Sequence, residues 1–254
     1  MRVLIIRHGQ SEGNVDYQAY LDKGDSKVAL TDLGWKQAIA AGEFLENYYE
    51  ADGTKHWPYV FLSAYQRTQE TLSGIVHGMR KEGLEGEPQI HLDPRLIERF
   101  AGATQMMKKG NGPVDWRISG QFGRMAEGLY KNDDFVTRNL LGDSSKDIYM
   151  AVQSFMDGTM RRVDAQGDDD MLIVAHGVVY REFVRAMGDL PFTANLPIPG
   201  NCDILEARKD WGDEGWRVRQ IYDGEAMMAV DIPLLDGHHP YSFADLPPVP
   251  DHLK

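Results

Sequence analysis

The sequence predicts a three-layer α/β/α fold with a mostly parallel central sheet and a helical cap insertion. Three observations predict it. The runs Val3-Leu4-Ile5-Ile6, Tyr59-Val60-Phe61-Leu62 and Met171-Leu172-Ile173-Val174-Ala175 are short, continuous and apolar, as strands buried on both faces require. Stretches with helical apolar spacing separate them, and strands that alternate with helices favour parallel neighbours. The 254 residues, 42% of them hydrophobic, are enough for one large core and argue against disorder.

Taken in order, the first strand runs straight into Arg7-His8-Gly9. Thr31 is a candidate N-cap for a helix in which Leu33, Ala38, Ile39, Phe44 and Leu45 recur at helical spacing. The second strand leads to Ser63, where another helix can start. Residues 102–142 are rich in Gly, Met and charge with only broken periodicity, and are expected to form the cap over the sheet's C-terminal edge. Asp143 or Ser144 caps a helix through Ile148, Val152 and Phe155. The third strand ends at His176-Gly177, and residues 178–187 are helical again. Residues 202–207 and 216–221 read as two further strands flanking a turn at 210–215. Residues 233–254 are Pro-rich without a core-forming pattern and are expected to be an extended tail. The expected organisation is therefore one domain over residues 1–232, with the cap at about 102–142, and a tail over 233–254.

Charge narrows the function classes. Lys and Arg number 27 against 39 Asp and Glu, a net charge of −12. A field of that sign opposes nucleic acid and anionic membranes as partners. No stretch approaches the roughly 18 uninterrupted apolar residues of a membrane span. The apolar start is too short for a signal peptide, and Cys202 alone cannot make an internal disulfide, so a cytoplasmic location is expected. Neither His238-His239 nor Asp168-Asp169-Asp170 has ligand spacing with partners, so no metal and no cofactor is expected. Cys202 reads as a packed core residue, and Met106-Met107 as packing within the cap.

The chemistry is written at the strand ends. In α/β sheets ligands sit outside the carboxyl ends of the strands. Arg7-His8-Gly9, Ser63 with Arg67, and His176-Gly177 should therefore meet in one crevice. Two Arg and two His there describe a phosphate pocket, to which backbone N–H groups at a helix start after Gly177 or Ser63 would add donors.

Five ordered segments carry a resemblance to a known family. They are Arg7-His8-Gly9-Gln10-Ser11-Glu12-Gly13-Asn14, Leu30-Thr31-Asp32-Leu33-Gly34, Ser63-Ala64-Tyr65-Gln66-Arg67-Thr68, Leu96-Ile97-Glu98, and Val174-Ala175-His176-Gly177. In order and spacing they resemble the histidine phosphatase superfamily, which includes the cofactor-dependent phosphoglycerate mutases. The resemblance implies that His8 is a nucleophile forming a phosphohistidine. It implies that Arg7, Arg67 and His176 hold the phosphoryl group, and that Glu98 is the proton donor. Asn14 matches a position that often contacts the phosphoryl group, though an Asn there also caps turns. Gly177 would bring backbone close to it.

Elementary chemistry suits these types. A neutral imidazole is nucleophilic near neutral pH, and fixed guanidinium groups neutralise phosphoryl oxygens in the transition state. For Glu98, burial would raise the carboxyl pKa whereas neighbouring Arg99 would lower it. The sequence leaves that competition open. The residues favour a phosphatase acting on a small phosphorylated metabolite. The stretch Tyr17-Gln18-Ala19-Tyr20-Leu21-Asp22-Lys23-Gly24 departs from the glycolytic mutases, and the cap lacks an adjacent Arg pair. Glu98-Arg99-Phe100 keeps a phosphoglycerate mutase as the alternative. A non-catalytic phospho-ligand-binding protein is the alternative from another class, against which the retained His8 and both arginines speak. Mutase-like relatives often pair, so a homodimer is a further expectation.

Overall fold

A computed structural model of the chain describes residues 1–79, 86–102, 135–138, 142–165, 170–210, 213 and 215–236. Strand β1 (Arg2–Arg7) is followed by two short helices, α1 (Glu12–Val15) and α2 (Gln18–Lys23), and a 3-10 turn (Asp25–Lys27). Helix α3 (Asp32–Ala51), β2 (Tyr59–Leu62), α4 (Gln66–Met79), β3 (Ile90–Leu92) and a 3-10 turn (Pro94–Leu96) come next. The second half comprises α5 (Ser145–Phe155), a π-turn (Met156–Met160), α6 (Arg161–Ala165), β4 (Asp170–Ala175), α7 (Gly177–Met187), β5 (Ile204–Arg208), β6 (Arg217–Asp223) and β7 (Met228–Asp236).

The strands form one sheet in the order β3-β2-β4-β1-β5-β6-β7. Alternate residues of the apolar runs feed opposite faces, which is why the runs are unbroken. Val3 and Ile5 of β1, with Met171 and Ile173 of β4, pack against Val152 and Phe155 of α5 and Val179 and Phe183 of α7. Leu4, Ile6, Leu172 and Val174 face the other way, onto Ala38, Ala41 and Leu45 of α3 and Leu72 and Ile75 of α4. Helices on both faces of the sheet make the three layers. The α3–α4 pair is drawn close by small residues. A β-carbon on Gly42 would lie 2.2 Å from the Ile75 carbonyl oxygen, and one on Gly78 would lie 2.3 Å from that of Ile39.

Helix starts follow the sequence chemistry. Thr31 Oγ1 accepts from Gly34 N at 3.1 Å. Ser144, one of the two candidates for the later cap, closes a capping box with Asp147.

The sheet is more mixed than expected. β1–β4, β4–β2 and β2–β3 are parallel, whereas β1–β5, β5–β6 and β6–β7 are antiparallel. Parallel strands need a helical crossover, which α3 provides from β1 to β2, α4 from β2 to β3, and α5 with α6 from β3 to β4. The segments joining β5 to β6 and β6 to β7 are too short for that, so those strands turn back on one another. The C-terminal strand also corrects a boundary. β7 runs through Asp236 and pairs Pro233 opposite Arg219, so 233–236 belong to the sheet and not to a tail. Proline is tolerated there because β7 is the edge strand. Most of the expected cap at 102–142, and residues 237–254, lie outside the described residues. Among the described residues, no helix is long and apolar enough to cross a membrane.

Candidate active site

The parallel half of the sheet brings distant residues to one edge. His8 N bonds Ala175 O at 3.0 Å, Ser63 N bonds Val174 O at 3.2 Å, and Asp93 N bonds Leu62 O at 3.0 Å. Each bond carries the ladder one step past a strand end. His8, Ser63 and His176 therefore stand side by side, and the two imidazole centroids are 5.3 Å apart, edge to face.

His8 is almost wholly buried. Its Nδ1 lies 2.8 Å from the Gly9 carbonyl oxygen. A carbonyl only accepts, so Nδ1 carries the proton and Nε2 the lone pair. Arg67 Nε donates to that Nε2 at 3.3 Å. Burial, then the charges of Arg67 and Arg7, hold the His8 pKa well below its ordinary 6.5. Both effects disfavour a second proton, so the ring is neutral at neutral pH.

His176 is fully buried between β4 and α7. Its Nε2 and Ser63 Oγ are 2.8 Å apart, and its Nδ1 is buried without a hydrogen-bond partner among the described residues. Burial, with Arg67, His8 and Arg7 nearby, keeps its pKa well below 6.5 too. Arg7 donates through Nη1 to the Pro199 carbonyl. Its Nε is a second buried polar atom with no partner among the described residues. Arg67 is 1% exposed, with Tyr65 and Tyr20 rings 5.0 and 5.8 Å from its guanidinium carbon.

Gly177 begins α7 directly after His176. A β-carbon there would lie 2.7 Å from Ile198 Cγ2 and 3.4 Å from Arg7 Nε, so the residue lets the 198–199 segment close over Arg7. Backbone N–H groups at the start of this 11-residue helix face the same edge as His176.

Glu98 is half-buried after the 3-10 turn. Its Oε1 accepts from Arg99 N at 2.8 Å. The competition left open by the sequence goes to burial. Loss of water raises the carboxyl pKa above 4.5 by more than the Arg99 N–H, Arg67 and the Arg99 charge lower it, and Asp25 adds to the rise. Its charge reaches Arg7 across the pocket.

Asn14 takes a local role through its oxygen. Oδ1 accepts from Ser11 N at 2.9 Å and Ser11 Oγ at 3.0 Å, which caps α1. Asn201 Nδ2 bridges the same oxygen at 3.2 Å to the His8 carbonyl at 3.1 Å, tying that cap to the pocket floor.

Three supporting residues had no role assigned from sequence. Thr71 Oγ1 receives Gly9 N at 3.0 Å and donates to Arg67 O at 2.6 Å, so it links two pocket segments. It lies one helical turn past Arg67, which is the signal that would have found it. Asn201 precedes Cys202, whose φ of +59° turns the chain back toward β1. Asp25 pairs with Arg67, and no local pattern announces it. Among the described residues no cluster of His, Cys, Asp or Glu has the grouping of a metal site.

A buried neutral imidazole beside two guanidiniums, with a second imidazole and a carboxyl of raised pKa, suits a phosphoryl group in size and charge. The chain is 29% identical over 214 residues to the phosphoglycerate mutase-like protein AT74 of Arabidopsis thaliana, covering 80% of this chain and 63% of that protein. It thus spans less than two thirds of that relative's length. It is 26% identical over 200 residues to a 2,3-bisphosphoglycerate-dependent phosphoglycerate mutase of Rhizobium etli, covering 77% and 84% of the two chains. The fold is shared with mycobacterial glucosyl-3-phosphoglycerate phosphatase in complex with inorganic phosphate, at a TM-score of 0.64 and 20% identity over 90% of this chain and 99% of that one. The family description that matches residues 3–224 spans all the pocket segments, and the chain belongs to the histidine phosphatase superfamily, branch 1.

Proposed function

We propose that the protein hydrolyses a small phosphomonoester in two steps through a phosphohistidine on His8. The observation that carries this reading is the His8 tautomer. With Nδ1–H bound to Gly9 O, the lone pair on Nε2 faces Arg67, where a phosphoryl group clamped by that guanidinium would sit. In the first step Nε2 attacks phosphorus and the P–O bond to the alcohol breaks. Glu98, whose protonated form burial favours, gives its proton to the departing oxygen. In the second step the Glu98 carboxylate takes a proton from water, the hydroxide displaces His8, and inorganic phosphate leaves. Arg7 and Arg67 neutralise the phosphoryl oxygens throughout, with His176 Nδ1 and Gly177 N–H as further donors on the same edge, while Ser63 Oγ–H donates to His176 Nε2 and so leaves the His176 proton on Nδ1. Asn14 serves the site through its cap and Asn201.

A phosphoglycerate mutase is the second reading, favoured by one cluster. Arg99 Nη1 and Arg181 Nη2 both donate to Ser145 Oγ, at 3.0 and 2.9 Å. Two cations on one buried hydroxyl suit a substrate with a second anionic group, such as a carboxylate. The deciding experiment is a phosphate-release screen over sugar phosphates, phosphoglycerates and nucleotides, with acid-quench trapping of the phosphoenzyme. His8→Ala should abolish both turnover and acid-labile label. Full activity in that variant would overturn the mechanism, and exchange of 2- and 3-phosphoglycerate far faster than hydrolysis would replace it with the mutase.

A further inference from the structure

The segment between the first two helices and α3 places an acid against the buried arginine. The turn Asp25–Lys27 packs on α4, and Asp25 meets Arg67 twice. Its backbone carbonyl accepts from Arg67 Nη1 at 2.6 Å. Its carboxylate oxygen Oδ1 lies 2.8 Å from the same nitrogen, an ion-pair contact without hydrogen-bond geometry, and has no hydrogen-bond partner among the described residues. The two contacts therefore do different work. The carbonyl orients the guanidinium, and the carboxylate contributes charge. Arg67 and Asp25 side chains are 1% and 10% exposed, so water screens that charge little.

We propose that the Asp25 carboxylate sets the charge of the phosphoryl pocket, offsetting Arg67 so that phosphate is held loosely and the proton donor keeps its proton. The proposal rests on the phosphatase reading for its site and names a charge-setting residue in it. Arg7 and Arg67 alone present two positive charges to a phosphate dianion beside two neutral imidazoles. With Asp25 the net charge offered falls by one. A hydrolase whose product is inorganic phosphate gains from that, because a tightly held product would limit turnover.

The second consequence falls on Glu98. The groups around it come from several elements: Arg7 from β1, Tyr20 from α2, Asp25 from the turn, Tyr65 and Arg67 at the start of α4, and Arg99 beside it. The arginines favour its ionised form. Asp25 is the carboxylate that opposes them, and it also raises the Tyr65 hydroxyl, which burial pushes up to about 12. Removing the Asp25 charge leaves Glu98 facing arginines alone, and its proton is lost at lower pH.

Asp25→Asn is the informative change, since it keeps the backbone carbonyl on Arg67 and removes only the charge. Inorganic phosphate is titrated calorimetrically into the full chain at neutral pH, and kcat is followed against pH. The variant should bind phosphate at least about tenfold more tightly, since one unit charge a few ångströms away is worth roughly that in a water-like dielectric and more where water is excluded. The basic limb of its kcat profile should move to lower pH. Asp25→Glu, which restores the charge, should return both toward wild type. A purely structural Asp25 would weaken phosphate binding in every variant and leave the basic limb in place, and that result overturns the proposal. Should the Asn variant fail to fold, Asp25→Ser, which also keeps the carbonyl, is read in the same way. Phosphate binding in wild type without phosphoenzyme would defeat the hydrolase reading and leave the charge argument standing. Unchanged phosphate affinity in Asp25→Asn of a chain that does form phosphoenzyme would defeat Asp25 alone. A wild-type chain that fails to bind phosphate would overturn both.

Discussion

His8 and Glu98 are tuned in opposite directions by the same burial, because one is neutral when deprotonated and the other neutral when protonated. In the proposed mechanism His8 must lack its second proton, and that condition fails only as pH falls through a pKa well below 6.5. Glu98 must keep its proton, and that condition fails as pH rises through a pKa raised above 4.5. Activity should thus be bell-shaped and bounded above by Glu98. Glu98→Gln should lower kcat by about 10²- to 10⁴-fold and remove the Glu98-dependent basic limb, a rate–pH profile being the check. Arg7, His8 and His176 were legible as candidates because each sits at a strand end that its apolar run marks, and Arg67 because it falls in the first turn of the helix after β2. The direction of the Glu98 shift was not, since it depends on how much water the folded chain excludes. Asp25 was equally hidden. It lies 42 positions before Arg67, and nothing short of the fold brings them together.

Helix α3 shows how an element can support the candidate site through its neighbour α4. α4 begins one residue before Arg67, and its contact with α3 fixes the height at which that arginine enters the pocket. The close approach rests on Gly42 and Gly78, each facing a carbonyl of the other helix. Gly42→Ala must displace backbone, so a loss of about 1–3 kcal/mol is expected. For a domain of this size that lowers the thermal midpoint by roughly 2–4 °C per kcal/mol, which calorimetry would read. Phosphate affinity should weaken alongside it, because Arg67 moves with α4. Elements with long apolar runs or clear caps were readable in advance, as Thr31 and Ser144 demonstrate. The edge strands were not. β3 is three residues long with exposed Ile90 and Leu92, and β7 carries a proline, so neither has the pattern of a buried strand.

Across the whole molecule, a net charge of −12 surrounds a pocket built on two arginines. Screening over about 8 Å at physiological salt separates the two fields. A compact phosphomonoester needs to feel only the inner one. A polyanion must lie against the outer one as well. Oligonucleotides with a terminal phosphate should therefore be poor substrates, with kcat/KM falling as length grows and partly recovering as salt is raised. A kcat/KM that instead falls with salt would place a basic track on the surface and contradict this picture.

By itself the sequence determined the layered α/β fold, the strand ends at which the candidate site lies and the types of residue gathered there. Those follow from local periodicity and from the rule that ligands sit at the carboxyl edge of parallel strands. Only the tertiary structure decided that half the sheet pairings are antiparallel, that 233–236 form part of the sheet, that His8 presents Nε2, and that Asp25 faces Arg67. Each of these depends on contacts between segments far apart in the chain, and on the exclusion of water that those contacts bring. Local sequence patterns do not encode either one.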